Sequence, residues 1–217
     1  MYEQGVLDGN VHSIRQELRG ILLFVGAIWA SYFLSHVTSI DEWGLVPRHL
    51  VGLVGIGTMT FLHGNLQHLI GNTIPLFVLL SLLAGSRAST WSVVTLVVAI
   101  GGALLWLFGR PGSHQGASLL IFGLISFLIA SGLYFERRVV PMLVAILVVF
   151  MYGITLLSGI MPQFWGNRGV SWEGHLCGAI AGVLTAYLLS SPQHPNGFSN
   201  RFSDADAGAT HIQLPKI

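Results

Sequence analysis

Long apolar runs separated by short polar connections occupy most of the chain. Six runs have the roughly 17 to 25 residues that a helix needs to cross a lipid bilayer. Among the six, only the first holds a charged residue, Arg19, which lies close enough to the end of its run to reach the interface. The pattern predicts an all-α fold, a polytopic bundle of six transmembrane helices over residues 18–190. The runs cover residues 18–37, 69–86, 90–109, 118–135, 139–160 and 174–190.

A seventh apolar stretch, residues 50–62, is too short to be a span. It has 13 residues, three of them glycine, and it follows Pro47 and Arg48. A stretch of this length is typical of an interfacial or re-entrant segment. Irregular backbone at such a depth requires surrounding protein to satisfy its polar groups, so we expect the stretch to pack against the bundle.

The basic residues of the connections and ends predict the orientation of the bundle. With a cytoplasmic N-terminus, seven Lys and Arg residues lie inside and three outside, as the positive-inside rule favours. Residues 1–17 are then a short cytoplasmic segment. Residues 191–217, rich in polar residues, are a flexible cytoplasmic tail. This pattern fits a bacterial inner membrane. The inside residues are Arg15, Arg19, Arg87, Arg137, Arg138, Arg201 and Lys216, and the outside residues are Arg48, Arg110 and Arg168.

The composition agrees with a membrane protein and excludes other classes. Hydrophobic residues make up 53% of the 217 residues and charged residues 9%, with a mean hydropathy of +0.70. A soluble domain has about 25% charged residues, so lipid is the expected solvent for most of this surface. The net charge of +1 and the absence of a basic cluster argue against a nucleic-acid partner. Cys177 is the single cysteine, so no intrachain disulfide can form.

Three polar segments interrupt the apolar pattern, and the first is FLHGNLQHLIGN, residues 61–72. His68 and Asn72 are four positions apart, which places them on one face of a helix, about one turn from each other. Both side chains can donate hydrogen bonds. His63 precedes the helix and is expected to support the loop. Packing of a polar helix start against its neighbours is the alternative explanation.

The other two segments are HQGASLLIFG, residues 114–123, and WEGHLCGAIAG, residues 172–182. Ser118 and Phe122 share a helix face, and Gly116 is expected to let another backbone approach. A serine in an apolar helix often bonds to a carbonyl one turn back, which is the structural alternative for Ser118. His175 begins the last run. It lies beside a stripe of small residues that lets two helices pack closely, namely Gly174, Gly178 and Gly182.

Together the three segments supply the groups that acyl transfer requires. In the six-span topology all three lie near the outer face of the membrane. Ser118 is then the nucleophile, a histidine accepts its proton, and side-chain donors stabilise the oxyanion. No acidic residue lies within a predicted span, and Glu173 points away from His175 on a helix. The sequence therefore predicts a Ser118–His175 dyad that needs neither a metal nor another cofactor.

At these residues the chain resembles the rhomboid intramembrane serine proteases. The family pattern is H-x4-H-x3-N in the second span, G-x-S in the fourth and A/G-H-x2-G-x3-G in the sixth. The chain has HGNLQHLIGN, GAS and GHLCGAIAG in the same order on the corresponding predicted spans. The resemblance covers about residues 18–190.

The resemblance implies a role for each matching position. Ser118 corresponds to the nucleophile and His175 to the general base. His68 and Asn72 correspond to side-chain donors of the oxyanion hole, which the Ser118 amide completes. The supporting positions are His63, Gly116, Phe122, Gly178 and Gly182.

The expected function is hydrolysis of peptide bonds in or near transmembrane segments of membrane-protein substrates. Those substrates and the lipid bilayer are the expected partners, and the sequence does not predict an oligomeric state. One alternative is a pseudoprotease that binds transmembrane helices, because Leu119 follows the serine where active members usually have glycine. Another is a metallohydrolase, although no HExxH motif is present and a metal leaves the glycine stripe unexplained. Its ligands would be His63, His68, His114 and His175.

Overall fold

A computed structural model describes residues 2–85, 89–135, 138–161 and 171–190, with side chains from residue 15 onward. The described residues form α-helices joined by short turns and contain no β-strand, which confirms the predicted all-α class. The helices are α1 (Tyr2–Ser35), α2 (Gly55–Thr58), α3 (Leu66–Gly85), α4 (Thr90–Phe108), α5 (Ser118–Ala130), α6 (Val139–Ile160) and α7 (Trp172–Leu189).

Five helical segments in the described part of the chain are long and apolar enough to cross a membrane. The helix α7 has 18 residues but carries Glu173 and His175 near its start, and it is not among the five. A helical membrane bundle is thus confirmed, whereas the predicted count of six spans is not. The five segments are Arg15–Ser35, Leu66–Gly85, Thr90–Phe108, Ser118–Phe135 and Val139–Ile160.

The structure describes the N-terminal end of the chain from Tyr2 but does not describe the C-terminal tail. Residues 1–17 were expected to be a short cytoplasmic segment, and α1 begins at Tyr2 and continues without a break into the first span. The tail, residues 191–217, lies outside the described residues. The same holds for five of the basic residues used for the orientation, namely Arg87, Arg137, Arg168, Arg201 and Lys216.

The helix α5 occupies the centre of the bundle. Of the residues in Ser118–Phe135, 72% are buried, because this segment is apolar on every side and neighbouring helices surround it. A π-helical turn, Ser131–Phe135, extends it. By contrast, Ala145 and Val148 are the only buried residues of α6, so most of that helix faces outward.

The glycine stripe of α7 packs directly on α5. A Cβ atom added at Gly178 would collide with the carbonyl oxygen of Leu119. One added at Gly182 would collide with the carbonyl oxygen of Gly123. Because both obstacles are backbone, the two helices can approach this closely only with glycine at these positions. The contact brings the start of α7 beside the start of α5.

The apolar stretch 50–62 forms three short helical turns, none of which is long enough to span a membrane. They are Val51–Leu53, Gly55–Thr58 and Met59–Phe61. The loop that contains them is tied to the segment before α5. The Gly116 N–H donates to the Met59 carbonyl at 2.9 Å, and Leu45 and His114 exchange two backbone hydrogen bonds of 3.0 and 2.8 Å. The first loop therefore supports the residues that lead into Ser118.

Candidate active site

A polar cavity of about 760 Å³ opens beside the starts of α3, α5 and α7. Its lining includes Ser118, His175, His68 and Asn72. Three helices that are distant in sequence thus bring four of the predicted site residues to one cavity.

Ser118 is the first residue of α5 and is partly exposed to the cavity. Within the described part of the chain its hydroxyl makes no hydrogen bond, either to a carbonyl one turn back or to His175. The structural alternative for this serine is therefore not observed. The Ser–His hydrogen bond is not formed in this state either, and such bonds are often long until substrate binds.

His175 is buried, and its ring is held from two directions. Its Nδ1 lies 3.1 Å from the carbonyl oxygen of Gly159 in α6. Because a carbonyl can only accept, Nδ1 carries the proton, and the neutral ring has Nε2 as its acceptor. The ring of Phe122 stacks on the imidazole with centroids 4.0 Å and planes 2° apart. A backbone carbonyl and an aromatic ring thus orient the imidazole.

Gly159 is a part of this site that the sequence did not reveal. A Cβ atom there would collide with the Phe122 ring and would lie 3.3 Å from Nδ1 of His175. Glycine therefore leaves room for the stacked pair and brings the α6 carbonyl within reach of the imidazole. It stands in a long apolar run without a motif, so its spacing carried no signal.

Gly116 makes room for the predicted oxyanion donors. Its φ of +118° lies in the region that favours glycine. A Cβ atom there would lie 2.6 Å from Cε1 of His68 and 3.4 Å from Nδ2 of Asn72. Another backbone does approach this glycine, because the Met59 carbonyl accepts its N–H at 2.9 Å, and the two side chains lie where a Cβ would stand.

His63 joins the donor helix to the nucleophile segment. Its Nε2 accepts from Nδ2 of Asn72 at 3.0 Å and from the Ala117 N–H at 3.4 Å. The pKa of His63 is lowered to about 4, mainly by burial and to a smaller extent by nearby His68, while the Phe61 backbone opposes the shift. His63 is therefore neutral at pH 7. It uses one amide hydrogen of Asn72 and leaves the other for a ligand.

His68 is positioned by the cap of its helix. The side-chain oxygen of Asn65 accepts the His68 backbone N–H at 2.8 Å, as an N-cap does. The half-buried imidazole then lies edge-on to His63, with ring centroids 5.1 Å apart. This contact keeps the His68 ring at the cavity wall.

His114 and Glu173 have structural partners at the rim of the cavity. The ring nitrogens of His114 contact Ser171 Oγ at 2.8 Å and the Arg110 carbonyl at 3.1 Å. Glu173 pairs with Arg110 at 3.1 Å. The described residues contain no cluster of three or more potential metal ligands, so the metallohydrolase alternative has no support.

Leu119 does not line the cavity. Its side chain is buried in an apolar cluster with Leu45, Leu105 and Cys177. The missing side chain of Gly101 makes space for it, since a Cβ there would lie 2.9 Å from Leu119 Cδ2. The leucine therefore does not crowd the nucleophile.

The comparisons with known proteins identify the family of the chain. The family model for the Rhomboid domain matches residues 51–192. An uncharacterised protein of Mycobacterium leprae is 42% identical over 183 residues, which cover 80% of this chain and 71% of the relative. One from Mycobacterium tuberculosis is 41% identical, over 80% of this chain and 75% of its own. A protein of Acanthamoeba polyphaga mimivirus, provisionally named a rhomboid protein, is 30% identical over 62% of this chain and 74% of its own. The chain thus belongs to the rhomboid family and is an integral, multi-pass membrane protein.

Proposed function

We propose that the protein is an intramembrane serine endopeptidase with Ser118 as nucleophile and His175 as general base. The observation that carries this proposal is the tautomer of the His175 imidazole. Donation from Nδ1 to the Gly159 carbonyl leaves Nε2 as a proton acceptor in the cavity that Ser118 also lines. No carboxylate is required, because the carbonyl and the Phe122 ring supply the orientation.

The reaction follows from these groups. Oγ of Ser118 attacks the scissile carbonyl carbon while its proton passes to Nε2 of His175. The oxyanion accepts from the free amide hydrogen of Asn72, from His68 and from the Ser118 N–H at the start of α5. Collapse of the intermediate breaks the C–N bond, and His175 gives its proton to the leaving amine. Water then attacks the acyl carbon as His175 takes its proton, and the acyl C–Oγ bond breaks as His175 returns that proton to Oγ of Ser118.

The surroundings support a transmembrane substrate. The cavity is polar and can hold water, whereas α6 presents an almost wholly apolar outer surface to lipid. A substrate helix would approach from the bilayer past α6 and unwind locally, because a helix shields its carbonyls from attack. Helix-breaking residues near the scissile bond should therefore favour cleavage.

A pseudoprotease that binds transmembrane helices is less well supported. Its single argument was Leu119, and that side chain packs away from the cavity against Gly101. The groups required for catalysis remain at the cavity wall. The protease is therefore the better interpretation.

The test is cleavage of a transmembrane reporter by purified protein in liposomes, with Ser118→Ala and His175→Ala as variants. We expect each variant to lose at least about a thousandfold in rate, as removal of a nucleophile or base does in serine proteases. A serine-directed fluorophosphonate should label the wild type and not Ser118→Ala. Full cleavage by Ser118→Ala would falsify the proposal.

We also propose a bacterial inner-membrane location with both termini cytoplasmic. The basic residues of the connections favour this orientation, and the mycobacterial relatives support a bacterial context. Reporter domains fused to each terminus should both be active on the cytoplasmic side. An active periplasmic reporter at either end would contradict the orientation.

A further inference from the structure

His114 lies four positions before Ser118, and Ser171 lies four positions before His175. These two upstream residues contact each other. Nδ1 of His114 lies 2.8 Å from Oγ of Ser171, and both residues line the cavity. This hydrogen bond therefore joins the segment that precedes Ser118 to the segment that precedes His175.

The other contacts of His114 and Ser171 determine which atom donates and which accepts in this hydrogen bond. The Arg110 carbonyl can only accept, so Nε2 of a neutral His114 ring carries the proton and donates to it at 3.1 Å. Nδ1 then accepts from the Ser171 hydroxyl. The Ser171 oxygen in turn accepts the Gly174 N–H at 3.1 Å as the N-cap of α7.

The imidazole of His114 is well fixed in the protein. Its side chain is buried, and its backbone exchanges two hydrogen bonds with Leu45 of the first loop. Both ring nitrogens are occupied by protein groups. Through its backbone and its ring, His114 therefore connects the first loop, the segment before α5 and the cap of α7.

We propose that His114 and Ser171 form a positioning brace that sets the separation between Ser118 and His175. This inference rests on the proposed protease function. The glycine stripe fixes α7 against α5 from Gly178 onward, but the base lies one turn closer to the helix start. The brace restrains that first turn. A displacement of the base by about 1 Å could cost on the order of a hundredfold in rate, so such a restraint matters for kcat.

Ser171 has one feature of a nucleophile, because it is itself hydrogen-bonded to a histidine. However, its oxygen is engaged as the cap of α7 through Gly174. The hydroxyl of Ser118 makes no hydrogen bond within the described residues. These differences assign the structural role to Ser171 and the chemical role to Ser118.

The experiment compares Ser171→Ala, Ser171→Thr and His114→Phe in the full-length protein in liposomes. kcat and KM for a transmembrane reporter are expressed per active site, titrated by fluorophosphonate labelling to completion. Ser158→Ala is the matched control, because this exposed hydroxyl donates to the Thr155 carbonyl within α6 and has no other partner among the described residues.

We expect Ser171→Ala and His114→Phe each to lower kcat about tenfold or more with KM changed less than about threefold. The double variant with Ser171→Ala and His114→Phe should be no slower than the slower of the two single variants, because each change removes the same hydrogen bond. Ser171→Thr keeps the hydroxyl and should restore kcat to within about threefold of the wild type. Ser158→Ala should match the wild type.

Two results would overturn the brace, and they are distinguishable. If Ser171→Ala keeps the wild-type kcat per active site and loses only thermal stability, Ser171 is merely a helix cap and the protease proposal stands. If labelling persists in Ser118→Ala and disappears in Ser171→Ala, Ser171 is the nucleophile. In that case the assignment of Ser118 fails together with the brace.

Discussion

The ring of Phe122 lies flat against the imidazole of His175, with 4.0 Å between the centroids and 2° between the planes. The same imidazole contacts the carbonyl of Gly159 through Nδ1. These two contacts restrain the tilt and the rotation of the ring, as a buried carboxylate does in a Ser-His-Asp triad. Removal of either contact should therefore disturb the alignment of the base while leaving its chemistry intact.

The stacked ring can be tested by Phe122→Leu, which keeps an apolar side chain but removes the π-face. A stacked aromatic pair contributes about 1 kcal/mol, so we expect kcat to fall about fivefold to tenfold with little change in KM. Steady-state cleavage of the transmembrane reporter measures kcat and KM. An unchanged kcat in Phe122→Leu would show that the stack does not align the base.

Gly159→Ala introduces a methyl group that the site cannot accommodate without moving the Phe122 ring or α6. We expect kcat to fall by about tenfold or more, because a small displacement of the base from its carbonyl partner is costly. The matched control is Gly153→Ala on the same helix, where an added Cβ meets only Val149 at an ordinary 3.7 Å. Similar rates for the two alanine variants would contradict a special role for Gly159.

Leu119→Ala tests whether this leucine hinders catalysis or stabilises the bundle. The side chain is 3% exposed, so its truncation leaves a cavity and should lower the free energy of unfolding by about 2–5 kcal/mol. kcat per active site should not rise, because the leucine lies away from the cavity. Thermal unfolding in detergent and reporter cleavage measure the two effects. A clear gain in kcat would support the view that Leu119 impairs the enzyme.

Because His63 is buried, we expect the free energy of unfolding to fall in acid. Its pKa is lowered from 6.5 to about 4 in the folded protein, so between these values the unfolded state binds more protons. The contribution of this residue is therefore constant above about pH 6.5 and is lost as the pH falls toward 4. His63→Gln keeps an acceptor for Asn72 without titrating. Its thermal midpoint should decline less between pH 7 and pH 5 than that of the wild type, and equal declines would exclude His63 as a source.

Much of the helix pattern could be predicted from the apolar runs. In a bilayer the backbone must satisfy its own polar groups, so a run of sufficient length forms a helix whatever its neighbours are. The run 139–160 gave the observed bounds of α6, and the run 118–135 began at the observed start of α5. The sixth predicted span is not confirmed, because Glu173 and His175 make the start of α7 polar.

Part of the candidate site could also be predicted from the sequence. Local spacing placed Ser118 with Phe122, and His68 with Asn72, because residues four apart on a helix share a face. Ser171 also carries a local signal, since a serine directly before a helix with an acidic residue in its first turn is typical of an N-cap.

The sequence by itself determined which segments are helical and which polar residues lie near the same ends of those helices. Only the tertiary structure decided that Gly159 supplies the carbonyl for His175, that His114 reaches Ser171, and that Leu119 turns toward Gly101. These contacts join different segments of the chain. They depend on the rotation of each helix and on backbone separations of a few ångströms, which apolar periodicity and motif spacing do not specify.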